Sequence, residues 1–290
     1  MNPHKKSTSI ILVLLVALLL VMAIPNGYVL AAENDQALNS LGKGDGQKCC
    51  VPVKVIRKVR SERILRRNGF YIDLYGTGSL TFSKEGKYKF GTLRVDEDSS
   101  GGYTAARITE VDTSRPPSER IKCWQPTDRF DVVVNYTIRL KETVNPGLTE
   151  NMILWNAPIG HGESFLFTAI GLTRNLMFPG EYVALVAQDF NAGDYSGTFE
   201  FELLDPDWLD PTAWHHVRLT VSEYAARVEI AQGDHDYTVV LDVDLPNPVE
   251  PLAMEFSLDN EVHPDLPPIP ITTSDALDIA SFSIRYKVHK

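Results

Sequence analysis

The chain has 290 residues, of which 43% are hydrophobic, and its 28 basic and 38 acidic side chains give a formal net charge of −10. This length and apolar content fit one large or two small folded domains and exclude a largely disordered chain. Because nucleic-acid phosphates repel a protein with this charge, the composition also excludes nucleic acid as an expected partner.

The N-terminal residues 1–32 predict an export signal. Two lysines precede the apolar run Ile10–Ile24, and small residues allow cleavage after Ala31 or Ala32. The run has 15 residues, whereas a membrane-spanning helix needs about 20. We therefore expect a cleaved signal and a protein that is secreted or held on the extracellular face of the cell envelope. A retained N-terminal membrane anchor is the alternative.

Residues 33–64 are expected to be a linker and a basic arm ahead of the folded domain. Residues 33–48 are polar and rich in glycine, which is typical of a linker. Eight basic residues and one acid lie between Lys48 and Arg67. The segment 54–67 is a candidate for contact with a membrane lipid or a cell-wall polymer that carries negative charge. The favoured alternative is a strand or helix whose positive face docks on the acidic body of the chain.

The three cysteines are the adjacent Cys49 and Cys50, and Cys123. In an exported protein, a disulfide between Cys123 and either Cys49 or Cys50 is expected to tie the N-terminal segment to the domain. Adjacent cysteines rarely bond to each other, so one thiol would be left over; three free thiols are the alternative. The absence of a C-x-x-C spacing argues against a zinc site built from cysteines.

From residue 65 to residue 290 the sequence predicts a single domain of short strands separated by turns. Five segments alternate apolar and polar residues with period two, as half-buried strands do. The segment E-Y-V-A-L-V-A-Q-D is apolar on both faces, as a central strand would be. Many short strands with glycine and proline turns indicate an all-β sandwich or barrel. The sets expected to face the core are Val132, Val134, Tyr136, Ile138 and Leu140; Phe199, Phe201 and Leu203; Tyr237, Val239, Leu241 and Val243; Leu252, Met254, Phe256 and Leu258; and Phe282, Ile284, Tyr286 and Val288.

The segment W-H-H-V-R-L-T-V raises the question of a metal site, because it contains two adjacent histidines. If its valines and leucine point inward, His215 shares their face, while Trp214, His216 and Arg218 share the opposite face. The two imidazoles then point to opposite sides of the sheet and cannot bind one metal ion together. A structural role is expected for each.

The same segment, followed by A-A-R-V-E-I-A-Q-G, resembles the laminin-G and concanavalin A-like lectin/glucanase superfamily. The resemblance extends in outline over residues 65–290 and implies a jelly-roll sandwich of two antiparallel sheets. It also implies carbohydrate binding, often in association with calcium. The matching positions are Trp214, His216, Val217, Leu219, Val228, Ile230 and Gly233.

The superfamily includes family 16 glycoside hydrolases, whose hallmark is E-x-D-x-E on one strand. Glu200 and Glu202 are the nearest match, but the central Asp and the third acid are absent. No G-x-S-x-G, H-E-x-x-H or glycine-rich phosphate loop is present. We therefore expect a secreted or cell-surface module that binds a polysaccharide or glycan without cleaving it. A family 16-like hydrolase with a degenerate motif and a structural or adhesive surface protein are the alternatives.

A sugar site needs an aromatic face and a few polar groups that bond to hydroxyls. The residues with that chemistry are Trp155, Asn156, Tyr195, Trp214, His216 and Arg218.

Calcium would need several oxygen ligands from one loop. The acidic turns offer Asp96 and Asp98, and Asp205 and Asp207, although turn chemistry explains these acids equally well. Asn135 begins the triplet N-Y-T, which is a glycosylation signal in secreted proteins.

Overall fold

The structure, a computed structural model, describes residues 53–112, 123–139, 149–156, 168–174, 182–188, 198–204, 209–210, 212–233, 236–259 and 271–289. The predicted export signal, the linker at residues 33–48, Cys49 and Cys50 lie outside the described residues. No helix in the described part is long and apolar enough to cross a membrane.

The described residues form fifteen strands and one short helix. Their bounds are β1 Val53–Ile56, α1 Glu62–Arg67, β2 Tyr71–Tyr75, β3 Gly78–Glu85, β4 Tyr88–Val95, β5 Ala105–Thr109, β6 Phe130–Arg139, β7 Thr149–Asn156, β8 Thr168–Arg174, β9 Val183–Gln188, β10 Thr198–Leu203, β11 His215–Ser222, β12 Ala225–Gln232, β13 Thr238–Asp244, β14 Ala253–Asp259 and β15 Asp275–Val288.

The strands are arranged as two antiparallel sheets with a shared core. The back sheet has eight described strands in the order β13-β12-β11-β6-β15-β4-β3, with β1 also paired to β15. The front sheet has seven described strands in the order β10-β9-β8-β7-β14-β5-β2. Crossovers between the sheets make this the jelly-roll sandwich that the resemblance implied, and the all-β fold class is confirmed.

The first described strand belongs to the sandwich, so the boundary expected at residue 65 is too late. Strand β15 is 14 residues long and pairs along one side with β6. Its other side pairs first with β4, from Asp275 to Ile279, and then with β1, from Phe282 to Arg285. The domain therefore begins at or before Val53.

The basic segment 54–67 docks mainly through its apolar side chains. Ile56, Val59 and Leu65 lie in the core cluster, while Lys54 is buried in an ion pair with Glu110. The remaining arginines and lysine of the segment are exposed. The expectation of a strand or helix packed on the domain is confirmed, but its contact is through apolar groups and one buried lysine rather than a positive face.

The alternation expected for the central strands is confirmed. In β6, Val132, Val134, Tyr136 and Ile138 are at most 2% exposed. In β11 the burial alternates along the whole strand, with His215 and the aliphatic residues inside. In β9, five of six residues are buried, as expected for a strand flanked on both sides.

Two edge strands depart from the expected faces. In β10, Glu202 pairs with Ala184 and Glu200 pairs with Val186, so both glutamates lie on the core side of the front sheet. They remain exposed because β10 is at the edge of the sheet. Leu203, expected in the core, is 43% exposed on the outer side.

The second departure is a β-bulge between β12 and β13. Val228 pairs with Leu241 but Glu229 pairs with Val239, which leaves Val240 as the extra residue. A bulge of one residue reverses the side of the sheet on which the preceding side chains lie. Val239 is therefore on the outer side and 47% exposed, whereas Leu241 packs against the core as expected.

Candidate functional site

Trp214 lies on the outer face of the back sheet, where its ring packs against other side chains and the charged group beside it is ion-paired. The ring stacks on Tyr88 with centroids 4.5 Å apart and meets the edge of Phe90 at 5.4 Å. The guanidinium of Arg139 lies 4.8 Å from the centroid of the Trp214 ring and is ion-paired to Asp278. A ring with these neighbours is a cross-strand packing element and offers little open face to a sugar.

His216 and Arg218 share that outer face, as the alternation predicted, and they too have partners. Nδ1 of His216 lies 2.9 Å from the hydroxyl of Thr137. The guanidinium of Arg218 stacks 3.9 Å from the ring centroid of Tyr237, and its Nε donates to Oδ1 of Asn135 at 3.3 Å. These contacts link β6, β11 and the start of β13 across the sheet.

The structure does not assemble the other predicted site residues around Trp214. Glu200 and Glu202 are in the front sheet, not on a strand next to β11. The backbone of Trp155 pairs with Ala253 and Ala169 in the front sheet, and Asn156 follows it at the end of β7. Tyr195 lies outside the described residues.

The acidic turn at Asp96 and Asp98 is held by its own hydrogen bonds. Oδ1 of Asp98 accepts from the backbone N–H of Ser100 at 2.8 Å, and Oδ1 of Asp96 accepts from the hydroxyl of Ser274 at 2.8 Å. Hydrogen bonds from the hydroxyl of Ser100 and then from its backbone N–H lower the pKa of Asp98. A hydrogen bond from Arg94 is the main cause that lowers the pKa of Asp96. Asp205 and Asp207 lie outside the described residues, and no group of three metal-binding side chains occurs in the described part.

Asn135 lies in the middle of β6, between β11 and β15. Its side chain is half-buried and accepts a hydrogen bond from Arg218. Glycosylation of Asn135 stays a prediction. Cys123 bonds through its backbone N–H to Leu252 at 3.1 Å, and its predicted disulfide partners lie outside the described residues.

A different group of polar residues occupies the outer face of the front sheet, where β14, β5 and β2 are neighbours. In β14, Phe256 and Leu258 face the core, so Glu255, Ser257 and Asp259 lie on the outer side. The register places these three positions beside outer-side residues of β5 and β2. The Arg107 cluster is defined as Asp73, Tyr103, Arg107, Thr109, Glu255, Ser257 and Asp259.

Arg107 is the centre of this cluster. Its Nε and Nη2 donate to Oδ2 of Asp259 at 3.1 and 2.6 Å, and Nη2 also donates to the hydroxyl of Tyr103 at 2.6 Å. Burial alone would lower the pKa of Arg107, but the negative charges of Asp259 and Glu255 raise it above its ordinary value. The guanidinium therefore stays charged and fixes the position of Asp259.

Glu255 has the opposite electrostatic situation. It is 6% exposed, and burial raises the pKa of its carboxyl above 4.5. Asp259 and Asp73 raise this pKa further, while Arg107 and a hydrogen bond from Thr109 lower it. Glu255 is thus more easily protonated than an ordinary glutamate.

The buried floor of the cluster contains a hydroxyl that has no partner. Ser257 is 1% exposed, and its Oγ makes no hydrogen bond to any described residue. Buried polar groups are nearly always hydrogen-bonded, because an unmade bond costs about 1–3 kcal/mol. A polar ligand group that entered the cluster would supply the missing partner.

The rim of the cluster is aromatic and accessible. Tyr103 is 37% exposed, and its ring lies 5.6 Å from that of Tyr75 at an angle of 50°. An exposed aromatic ring beside charged hydrogen-bonding groups is an arrangement that suits sugar recognition.

Sequence reasoning did not identify this cluster. The alternation in L-A-M-E-F-S-L-D did indicate that Glu255, Ser257 and Asp259 share one side of a strand. It could not indicate that β5 and β2, more than 140 residues earlier in the chain, would place Arg107 and Asp73 beside them.

Comparisons with known proteins bear on the fold. No protein-family model and no curated protein matches the sequence. A protein of unknown function from Shewanella oneidensis MR-1 has 12% identity over 81% of this chain and 86% of its own, with a TM-score of 0.50. A family 16 endo-glucanase from Bacteroides ovatus has 11% identity over 74% and 94%, with a TM-score of 0.49. Peanut lectin has 11% identity over 82% and 98%, with a TM-score of 0.44.

The similarity to the Shewanella protein, at a TM-score of 0.50, is a similarity of fold. At these identities the likeness shows the fold alone, and a fold does not determine a function. Function must therefore be inferred from the residues of the site.

Proposed function

We propose that this protein binds carbohydrate at the outer face of the front sheet, with the Arg107 cluster as the site. The observation that carries the proposal is the unpartnered, buried hydroxyl of Ser257. Ser257 is paired in register with Arg107, whose guanidinium bonds to the exposed Tyr103. The tyrosines supply flat faces for the C–H side of a sugar ring. The carboxylates of Asp73 and Asp259 supply acceptors for its hydroxyls.

A glycan array tests the proposal, and two exposed tyrosines make a matched pair of variants. Tyr103→Ala removes a ring from the rim, and we expect it to weaken glycan binding about tenfold or more, since stacking and a lost hydrogen bond are each worth about 1 kcal/mol. Tyr224, which is 52% exposed at the turn between β11 and β12, provides the control, and Tyr224→Ala should bind as the parent does. Equal binding by both variants, or no binding to any glycan, would refute the proposed site.

Calcium dependence belongs to the same experiment. We propose calcium as a structural aid to binding, with Asp96, Asp98, Asp205 and Asp207 as its candidate ligands. The array is read in calcium and in a chelator. If binding is unchanged by the chelator, calcium has no part in recognition.

A glycoside hydrolase is the second candidate function, and the raised pKa of Glu255 favours it, because a general acid must hold its proton near neutral pH. The pairing of Asp259 argues against it. Glu255 and Asp259 have the spacing of the outer acids in E-x-D-x-E, but Ser257 replaces the central acid. The carboxylate of Asp259 is also ion-paired to Arg107, so it is not available as a nucleophile or base. Release of reducing sugar from laminarin, lost in Glu255→Gln but kept in Glu202→Gln, would support the hydrolase.

We also propose that the protein is exported, with residues 1–32 as the signal. The exposed bases Arg57, Lys58, Arg60 and Arg63 would then face the cell envelope and contact its anionic lipids or polymers. Sedimentation with vesicles of phosphatidylglycerol and phosphatidylcholine tests this contact. Binding should require the anionic lipid and weaken as salt is added.

A further inference from the structure

We propose that the glycan bound at the Arg107 cluster is uncharged, and that the cluster excludes polyuronates and sulfated polysaccharides. This inference rests on the proposed function and specifies its ligand. It follows from the balance of charge on this face and from the way its single guanidinium is already committed.

Acidic groups outnumber basic groups in the cluster. Its described members include three carboxyl groups, on Asp73, Glu255 and Asp259, and one cation, on Arg107. An anionic sugar group placed here meets like charge in a site with little access to water, where such repulsion is weakly screened. The net charge of −10 on the whole chain acts in the same direction at longer range.

Arg107 cannot serve as the receptor for an anionic group without losing its present partner. Two of its nitrogens bond to one carboxylate oxygen of Asp259, and its side chain is only 15% exposed. A sugar carboxylate or sulfate that took this guanidinium would leave Asp259, 7% exposed, as a buried charge without a counterion. That exchange is unfavourable, because an uncompensated buried charge is strongly destabilising.

The remaining groups suit hydroxyls instead. Ionised carboxylates accept hydrogen bonds and donate none, so a ligand group that bonds to them must be a donor. The hydroxyls of a neutral sugar are donors to Asp73 and can also donate to, or accept from, Oγ of Ser257. In an anionic polysaccharide, carboxylate or sulfate groups replace some of the hydroxyls, so the ligand offers fewer hydrogen-bond donors.

The test is a competition experiment with polysaccharides that share a backbone. Labelled hydroxyethyl cellulose and labelled laminarin are the neutral probes, and carboxymethyl cellulose and sulfated laminarin are the anionic competitors. The assay measures the release of the labelled neutral polymer from the site where it binds. An anionic polymer that binds only to the basic segment 54–67 therefore gives no signal. We expect each anionic competitor to be about tenfold or more weaker than unlabelled neutral polymer.

A charge variant makes the test specific to the cluster. Asp73→Asn removes one negative charge from β2. We expect the anionic competitors to bind about threefold more tightly to this variant, while the affinity of the neutral polymers rises little or falls. Asp244→Asn, an exposed position on β13 at the edge of the back sheet, is the control and should change neither. Thermal unfolding of both variants verifies that they fold as the parent does.

The outcomes separate the two proposals. If neither the neutral nor the anionic polymers, nor any array glycan, bind, the proposed function fails and this inference fails with it. If a polyanion displaces the neutral probe as well as unlabelled neutral polymer does, or binds directly and is lost in Tyr103→Ala, the inference is overturned while the proposed function stands. If unlabelled neutral polymer displaces the probe better than the anionic polymers do, and this preference is reduced in Asp73→Asn but not in Asp244→Asn, both the proposed function and this inference are supported.

Discussion

Burial shifts the pKa values of two ionisable residues, one on each sheet, in opposite directions. His215 faces the core at the start of β11, and neither of its ring nitrogens has a hydrogen-bond partner among the described residues. Burial lowers the pKa of His215 from 6.5 to about 4, which Gln232 and Asp210 only partly offset. Glu255 is buried on the front sheet, where burial raises its pKa. In each residue, burial therefore disfavours the charged form.

The first prediction concerns His215. The unfolded chain binds a proton to this residue below pH 6.5, but the folded protein does not until about pH 4. The free energy of unfolding should therefore fall as pH is lowered from 6.5 to 4, by at most about 3 kcal/mol from this residue. His215→Leu should remove that part of the pH dependence, as measured by urea unfolding at several pH values.

His216→Leu is the matched control, because His216 is on the outer side of the same strand. Its unfolding free energy should keep the slope of the parent between pH 4 and 6.5. If both variants show the same slope, the imidazole of His215 is not buried in its neutral form.

The second prediction concerns Glu255 and has the opposite sign. Its folded pKa is above 4.5, so the folded state binds more protons than the unfolded state as pH rises past that value. The free energy of unfolding should decrease as pH rises through the raised pKa. Glu255→Gln should remove this decrease, while Glu202→Gln, an exposed position on β10, should retain it. If Glu255→Gln shows the same dependence of unfolding free energy on pH as the parent, Glu255 does not have the raised pKa.

At the scale of elements, β1 is held to the sandwich by a buried polar contact as well as by its pairing with β15. Lys54 pairs with Glu110 in the core. The carboxylate of Glu110 also accepts from Nε1 of Trp124 at 2.9 Å and from the backbone N–H of Met254 at 3.0 Å. One carboxylate thus connects β1, the end of β5 and the start of β14.

The third prediction follows from this contact. Lys54→Met keeps the length of the side chain but leaves Glu110 as a buried charge without a cation, and we expect it to lower the free energy of unfolding by about 3–5 kcal/mol. Adding Glu110→Gln should restore part of the loss, because the amide oxygen can still accept from Trp124 and Met254. The exposed Lys84→Met on β3 should change stability by less than about 0.5 kcal/mol. Chemical unfolding compares the four proteins.

The elements also explain which faces could be predicted from the sequence. Strands β6 and β11 have strands on both sides and the other sheet beneath them, so burial follows the alternation of apolar residues. Strand β10 is at an edge, where the core side is itself open to water, and its glutamates lie there without cost. The bulge at Val240 depends on pairing with β12, which no local pattern in β13 reveals.

The candidate site was beyond sequence reasoning for a related reason. The tryptophan and its polar neighbours on β11 were identified as a possible sugar site from their chemistry and their shared face. The face was predicted correctly, but the stacking of Tyr88 and Arg139 on Trp214 depends on β4 and β6. The Arg107 cluster likewise depends on strands distant in the sequence, and only the polar side of β14 was visible locally.

At the scale of the whole molecule, the two outer faces of the sandwich differ in how completely their polar and aromatic groups are engaged. On the back sheet, Trp214, His216 and Arg218 all have partners within the face. On the outer face of the front sheet, the buried hydroxyl of Ser257 lacks a partner among the described residues, and Tyr103 is exposed nearby on the same face. This asymmetry is the reason that we propose binding at the front sheet and a packing role for the back-sheet residues.

The most direct test is a crystal structure of the protein with the glycan that binds most tightly on the array. The account predicts a sugar ring against Tyr103, with a sugar hydroxyl within hydrogen-bond distance of Oγ of Ser257. A glycan bound instead on the back sheet against Trp214, or on the core side of β10 at Glu200 and Glu202, would contradict it.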